Sequence, residues 1–245
     1  MEPVSQPALV TDTAMVMAAG LGTRMRPLTD TCPKPLISVA GATLLDHVLD
    51  HLRVARIGKV VVNVHYLPDQ IEAHLAEKGH GLDVKISDER ALLRDTGGGL
   101  VQALPLIADD PFFCINADNW WSDVGENALR RMSDFWNAEA MDVLMLLIPT
   151  EQAGNTQGSG DFDLSDDSRI SREGPKRTRP YVWTGIQLMA KRIIADPPSD
   201  VFSTNVFWDR AIEQGRCFGF VHSGQWFDVG YPAAIGLTEA ALAGA

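Results

Sequence analysis

Cysteine is scarce in this chain of 245 residues. Cys32, Cys114 and Cys217 are odd in number and widely spaced, with no Cys-x-x-Cys pair. That pattern argues against a disulfide framework or a zinc knuckle and favours a reduced, cytoplasmic protein. Long apolar runs are missing, and none approaches the roughly 20 residues of a membrane span. Met1–Val10 lacks the basic start and apolar stretch of a secretory signal. Positive charge is in deficit: 21 Lys and Arg face 32 Asp and Glu, a net charge of −11. A field of that sign disfavours nucleic acid and anionic membranes as partners. No internal repeat is visible. Ser38, Ser87 and Ser122 have no Gly-x-Ser-x-Gly elbow around them. His47 and His51 lie four apart on a predicted helix, but Val48 stands where a zinc hydrolase needs glutamate. They read as surface or core-edge histidines, and His65, His74, His80 and His222 are scattered.

What is present is an ordinary globular composition, 45% hydrophobic and 22% charged, enough for one large α/β domain. Apolar, β-branched runs alternate with amphipathic stretches through the first 150 residues. Strands are predicted at 14–19, 59–64, 83–87, 112–116 and 142–148. Helices are predicted at 43–55, 68–78, 97–104 and 125–137. Alternating β and α units imply a mostly parallel sheet with helices on both faces. Beyond residue 150 the pattern loosens, with strands predicted at 181–189 and 216–222 and helices at 205–214 and 232–243. Residues 1–12 read as a flexible tail. Residues 13–245 read as one domain: a regular first part over about 13–150, a smaller, less regular part over about 151–230, and a closing helix at 232–243.

The segment Ala18-Ala19-Gly20-Leu21-Gly22-Thr23-Arg24-Met25-Arg26-Pro27, followed by Pro33-Lys34-Pro35, comes straight after the first predicted strand. Glycines let backbone N–H groups approach phosphate oxygens, and cations neutralise them. Three neighbouring cations repel one another unless an anion is shared. The spacing is not that of a Walker A loop, and Met25 stands where a dinucleotide fingerprint has its third glycine, which disfavours an NAD-dependent dehydrogenase. The segment is read as a nucleoside triphosphate site, with a plain glycine turn as the alternative. Asp118 follows the predicted strand 112–116, and Asp228 follows the apolar pair Trp226-Phe227 and precedes Val229-Gly230. Either alone is a common turn or cap residue. Together, beside a phosphate loop, they are candidate Mg2+ ligands, since magnesium takes one or two carboxylates and fills its other positions with phosphate and water. A second basic group, Lys176-Arg177-Thr178-Arg179, reads as a solvated loop, with a lid over an anionic substrate as the alternative.

The stretch Met17 to Pro27 with Pro33-Lys34-Pro35-Leu36 resembles the signature of the sugar-1-phosphate nucleotidyltransferases. The resemblance continues through Asp95-Thr96-Gly97-Gly98-Gly99, Asn116-Ala117-Asp118, Gly160-Asp161-Phe162, Thr184-Gly185 and Trp226-Phe227-Asp228-Val229-Gly230. Among its branches the chain looks most like the bacterial N-acetylmuramic acid 1-phosphate uridylyltransferases of cell-wall recycling, with the mannose-1-phosphate guanylyltransferases as close neighbours. The resemblance implies a Rossmann-like fold of the nucleotide-diphospho-sugar transferase, GT-A-like kind. It implies a nucleotide-binding part over about 13–150, a smaller sugar-binding part over about 151–230, and Mg2+-dependent transfer of a nucleotidyl group from an NTP, UTP by preference, to a sugar 1-phosphate; the sequence leaves monomer and homodimer both open. Arg24 and Lys34 would be catalytic. Ala19, Gly20, Leu21, Gly22, Thr23, Glu89, Asp95, Thr96, Gly97 and Asn116 would bind nucleotide. Gly160, Glu173, Thr184 and Trp226 would lie by the sugar, and Asp118 and Asp228 would hold the metal. Arg94-Asp95-Thr96-Gly97 departs from the Leu-Gly-Thr-Ala of many members, and Glu173 precedes Gly174-Pro175 rather than Lys-Pro. The rival from another class is a non-catalytic relative that binds nucleotide sugars.

Overall fold

The computed structural model describes residues 8–156, 158–172 and 178–244. The centre is a seven-stranded sheet in the order Cys217–Val221, Val143–Pro149, Tyr181–Met189, Phe112–Asn116, Thr13–Met17, Lys59–Val64, Asp83–Asp88. All neighbours run parallel except Tyr181–Met189, which is antiparallel to both strands it joins. The apolar runs are continuous because both sheet faces are covered. Alternate residues go to opposite sides. Val16, Val62, Ile115 and Leu146 face the Leu44–Ala55, Pro68–Lys78 and Ala128–Phe135 helices. Met15, Val61, Cys114 and Met145 face the Asp95–Ala103 and Asn205–Glu213 helices. The first of these helices opens on a capping box, with Thr43 and Asp46 each bonding the other's backbone N–H.

A second, three-stranded sheet joins Asn119–Trp121, Trp226–Asp228 and Ala153–Gly154. These runs are too short to show a period, and none was expected as a strand. Their pairing sets Asp228 opposite Asn119, and so next to Asp118. Trp121 and Trp226 of the small sheet pack into the core of the large one, and one carbonyl ties the two sheets by hydrogen bonds. Thr184 O accepts the Trp226 indole N–H at 2.9 Å and the Asn119 side-chain amide at 2.8 Å. A register shift between Trp183 and Gln187 turns that carbonyl out of the ladder, with Gly185 at φ +83°. A Cβ there would lie 2.1 Å from Asn119 Nδ2. Gly185→Ala is therefore expected to cost roughly 2–4 kcal/mol, from the left-handed backbone and the overlap together. A urea melt checks this, and an unchanged midpoint contradicts it.

His222 sits against the same small sheet, 3% exposed, with Nε2 3.0 Å from Ser122 O. Burial lowers its pKa, partly opposed by Asp123 and by bonds to backbone. The unfolded chain thus binds a proton more readily than the folded one. Stability is expected to fall as pH drops through about 6.5, the unperturbed histidine value. His222→Gln should flatten that stretch of the Tm–pH curve, and an equally steep curve in the variant contradicts the assignment.

Several expectations change. Val10 N–H bonds Ser133 Oγ at 2.6 Å and Thr11 is buried, so the end of the supposed tail is anchored. Trp121 is buried and stacks on His51, with ring centroids 4.0 Å apart. His47 and His51 do lie at the core edge, as expected, with Nε2 bonded to the carbonyls of Val39 and Trp121. Arg179 is not part of a solvated loop: it is buried, pairs with Asp163 and donates to Arg172 O at 2.7 Å. Lys176 and Arg177 lie outside the described residues. No helix among the described residues is long and apolar enough to cross a membrane.

Candidate active site

A cavity of about 530 Å³ opens at the carboxyl ends of the Thr13–Met17, Lys59–Val64 and Phe112–Asn116 strands. Ligands bind there in open α/β sheets. Its floor begins where the first strand stops hydrogen bonding in the ladder. Ala18 N–H donates to Asn63 Oδ1 at 2.7 Å, and Asn63 Nδ2 donates to Glu89 Oε1 at 2.7 Å. Glu89 Oε2 accepts the Arg94 N–H at 3.2 Å. This buried relay crosses three strand ends and fixes the start of the Asp95–Ala103 helix.

The loop after Ala19 is held from below. Met25 is fully buried in a cluster with Ile37, Val39, Leu44 and Val229. Gly22 takes φ +63°, which lets Thr29 and the Lys34 stem pack where a Cβ would stand. Thr29 Oγ donates to Gly22 O at 2.8 Å, and Tyr66 Oη donates to Thr29 O at 2.8 Å. The loop is thus rigid at its base, with Gly20 open to the cavity.

The charged groups converge on one wall. The Lys34 side chain is 9% exposed, with Nζ 2.8 Å from Asp118 Oδ2. Asp228 lies within reach of both. Burial raises its pKa, the Lys34 charge lowers it, the Asp118 carboxylate raises it again and Arg24 lowers it. Gly230 completes the corner: a Cβ there would lie 2.7 Å from Asp228 Oδ1 and 3.0 Å from Arg24 Nη1. Arg26 points elsewhere and pairs with Asp30 at 3.5 Å in solvent.

Of the residues expected from sequence, Ala19, Gly20, Gly22, Thr23, Arg24, Lys34, Glu89, Asp95, Thr96, Asn116 and Asp118 line this cavity. Asp228 stands behind Gly230 at its edge. Leu21 is outside the lining and 40% exposed. Gly97 is also outside it, because the glycine triplet serves packing. Cβ atoms at Gly97, Gly98 and Gly99 would meet the Phe202 ring, the Asp200 carbonyl and the Glu89 carboxylate at 2.5, 2.2 and 2.6 Å. Thr184 and Trp226 are buried, and the Thr184 hydroxyl is spent on Leu146 O at 2.8 Å. They support the wall rather than face a ligand. Gly160 packs on the Arg179 carbonyl, away from the cavity. Glu173 lies outside the described residues. The sequence reading missed Asn63, the one polar residue within Val60-Val61-Val62-Asn63-Val64, and that interruption was its only signal. It also missed Leu93 and Val201, which give the cavity an apolar rim.

A doubly wound α/β sheet with a cation-bearing loop and two neighbouring acids at its strand ends defines a protein that handles phosphorylated nucleotides. The chain belongs to the nucleotidyl transferase family, whose profile matches residues 13–243. It is 41% identical over 233 residues to the N-acetylmuramate alpha-1-phosphate uridylyltransferase of Caulobacter vibrioides, covering 94% of this chain and 96% of that one. It is 33% identical over 244 residues to the enzyme of the same name from Neisseria meningitidis, covering 95% and 98%. Among solved structures, HddC from Yersinia pseudotuberculosis in complex with GMP-PN superposes with a TM-score of 0.77. That likeness is at 20% identity, covers 94% and 99% of the two chains, and concerns the fold alone.

Proposed function

We infer that this enzyme transfers a uridylyl group from UTP to N-acetylmuramic acid 1-phosphate, releasing pyrophosphate. The choice of UTP and of this sugar rests on the full-length similarity to two enzymes of that name. The observation that carries the chemistry is the cavity lining: among the described residues it contains cations, acids, amides and threonines, but no Ser, Cys or His. A serine or cysteine nucleophile or a histidine base has no candidate there. None is needed, because a sugar 1-phosphate with a second pKa near 6 is largely dianionic at neutral pH. Its oxygen attacks the α-phosphorus. The bond from that phosphorus to the bridging oxygen breaks, and pyrophosphate carries the electron pair away.

The obstacle is the approach of two anions. Arg24 and Lys34 stand on the wall where both phosphates must meet, and their charge offsets the repulsion and aligns the groups. The backbone N–H groups around Gly20 and Gly22 hold the triphosphate. Asp118 and Asp228 fit a magnesium ion: they are hard oxygen donors from adjacent strand ends. Asp228 is partly desolvated beside a second carboxylate, an arrangement that a divalent cation relieves. Bound there, magnesium would neutralise phosphate charge as a Lewis acid. Lys34 pairs with Asp118 on the same wall. Asn63 and Glu89 position Ala18 and the Asp95–Ala103 helix rather than touch phosphate, since their polar atoms are already satisfied by each other and by backbone. A matrix of four NTPs against several sugar 1-phosphates tests the substrate choice. UTP with N-acetylmuramic acid 1-phosphate should give the highest kcat/KM, and reaction of GTP with mannose 1-phosphate alone would overturn it.

A further inference from the structure

Outside the active site, three side chains scattered in the sequence meet at one point. Asp46 stands in the first turn of the Leu44–Ala55 helix, with its carboxylate buried. His74 projects from the Pro68–Lys78 helix, with Nε2 2.7 Å from Asp46 Oδ1. The chain then turns sharply through Gly79, His80 and Gly81, all with positive φ. That turn carries His80 back over the helix end, with Nε2 2.9 Å from the same Asp46 Oδ1. One ligand atom from each residue lies within 4.8 Å of the other two. None of the three lines the active-site cavity.

The geometry points to a transition-metal site, with Zn2+ as its natural occupant, formed by Asp46, His74 and His80 and independent of the nucleotidyl-transfer site. Two imidazole nitrogens and one carboxylate oxygen are a zinc donor set, and they are too nitrogen-rich for magnesium or calcium. Ligand atoms about 2.0–2.1 Å from a tetrahedral zinc stand about 3.3 Å apart. The observed hydrogen-bonded separations therefore need to open by only about half an ångström. Asp50 Oδ1 lies 3.8 Å from His80 Nδ1, on the side where a carboxylate can orient a metal-bound histidine. The Thr43 N–H at 3.4 Å and Lys78 Nζ at 2.6 Å both address the other oxygen, Asp46 Oδ2. Oδ1 is thus left to the imidazoles. Lys78 is half exposed and can swing into solvent, which relieves its repulsion of an incoming dication. Three protein ligands leave a fourth position for water. A metal here ties together two helices on the same face of the sheet, with no role in the chemistry described above.

Chelator-stripped full-length protein titrated with Zn2+ against a competing chromophoric chelator tests this. One tight equivalent is expected, and it should persist in the Asp118→Ala/Asp228→Ala double variant. His74→Ala and His80→Ala should each weaken it more than the roughly 10- to 100-fold typical of losing an outer partner. Lys78→Ala should tighten it several-fold, which a purely hydrogen-bonded clasp would not do. In wild-type protein, which needs no variant to fold, one equivalent of Co2+ should give visible ligand-field bands. The proposal is overturned if wild type binds no more zinc than the His74→Ala/His80→Ala double variant, if the tight equivalent vanishes with the Asp118/Asp228 pair, or if Co2+ gives no such bands.

Discussion

Lys34→Ala is expected to lower kcat by roughly two to three orders of magnitude, the usual effect of removing one charged group from a transition-state site. Its ammonium is the most enclosed cation on the cavity wall, and its Cβ packs on Gly22 at the heart of the phosphate loop. Removing it leaves Asp118 without its ion-pair partner. Asp118 is 34% exposed, so water can take over and the fold should survive. Lys34→Arg should not restore activity, because the planar, longer guanidinium does not fit a site built around a point charge. Pyrophosphate release and a thermal melt on the same preparations check both halves. Near-normal turnover in Lys34→Ala would remove this residue from the mechanism.

Asp228→Asn is expected to abolish most activity while leaving Tm equal to or above that of wild type. Burial makes the folded protein hold the Asp228 proton more tightly than the unfolded chain does. The contribution of Asp228 to stability is therefore fully present below the unfolded carboxylate pKa of about 4 and is lost as pH rises through the higher folded value. At neutral pH the ionised side chain opposes folding, and the amide does not. Asparagine keeps the shape but cannot supply the charged oxygen that the phosphate site needs, so turnover should fall by orders of magnitude. Such an exchange of stability for function is common at active sites. A lowered Tm with retained turnover would make Asp228 a structural residue.

Most of the large sheet was legible because its strands are continuous apolar runs, the pattern of a sheet covered on both faces. The strands Lys59–Val64, Phe112–Asn116 and Tyr181–Met189 have the predicted bounds, as do the helices Pro68–Lys78 and Pro232–Ala243. The small sheet was not legible, since strands of two or three residues carry no period. That omission matters, because the pairing of Asn119–Trp121 with Trp226–Asp228 is what sets the two acids side by side. The loop from Ala19 to Lys34 was readable from glycine and charge alone. The triplet Gly97-Gly98-Gly99 misled for a physical reason: a glycine can make room for protein as well as for a ligand. Thr184 and Trp226 matched a motif, yet the structure uses them to bolt the two sheets together. Asn63 went unnoticed because one buried amide in a valine run has no pattern around it. The meeting of Asp46, His74 and His80 depends on a turn of three left-handed residues that no spacing rule anticipates.

We propose that one wall of this cavity, bearing Arg24, Lys34, Asp118 and Asp228, performs nucleotidyl transfer. The most direct test is pyrophosphate release coupled to detection of the nucleotide sugar, with wild-type protein, UTP, N-acetylmuramic acid 1-phosphate and Mg2+. The predicted result is one pyrophosphate per UDP-sugar formed, with release dependent on both substrates and reduced at least 100-fold in Lys34→Ala. Nucleotide-sugar binding without pyrophosphate release, from any pairing of NTP and sugar 1-phosphate, would contradict it.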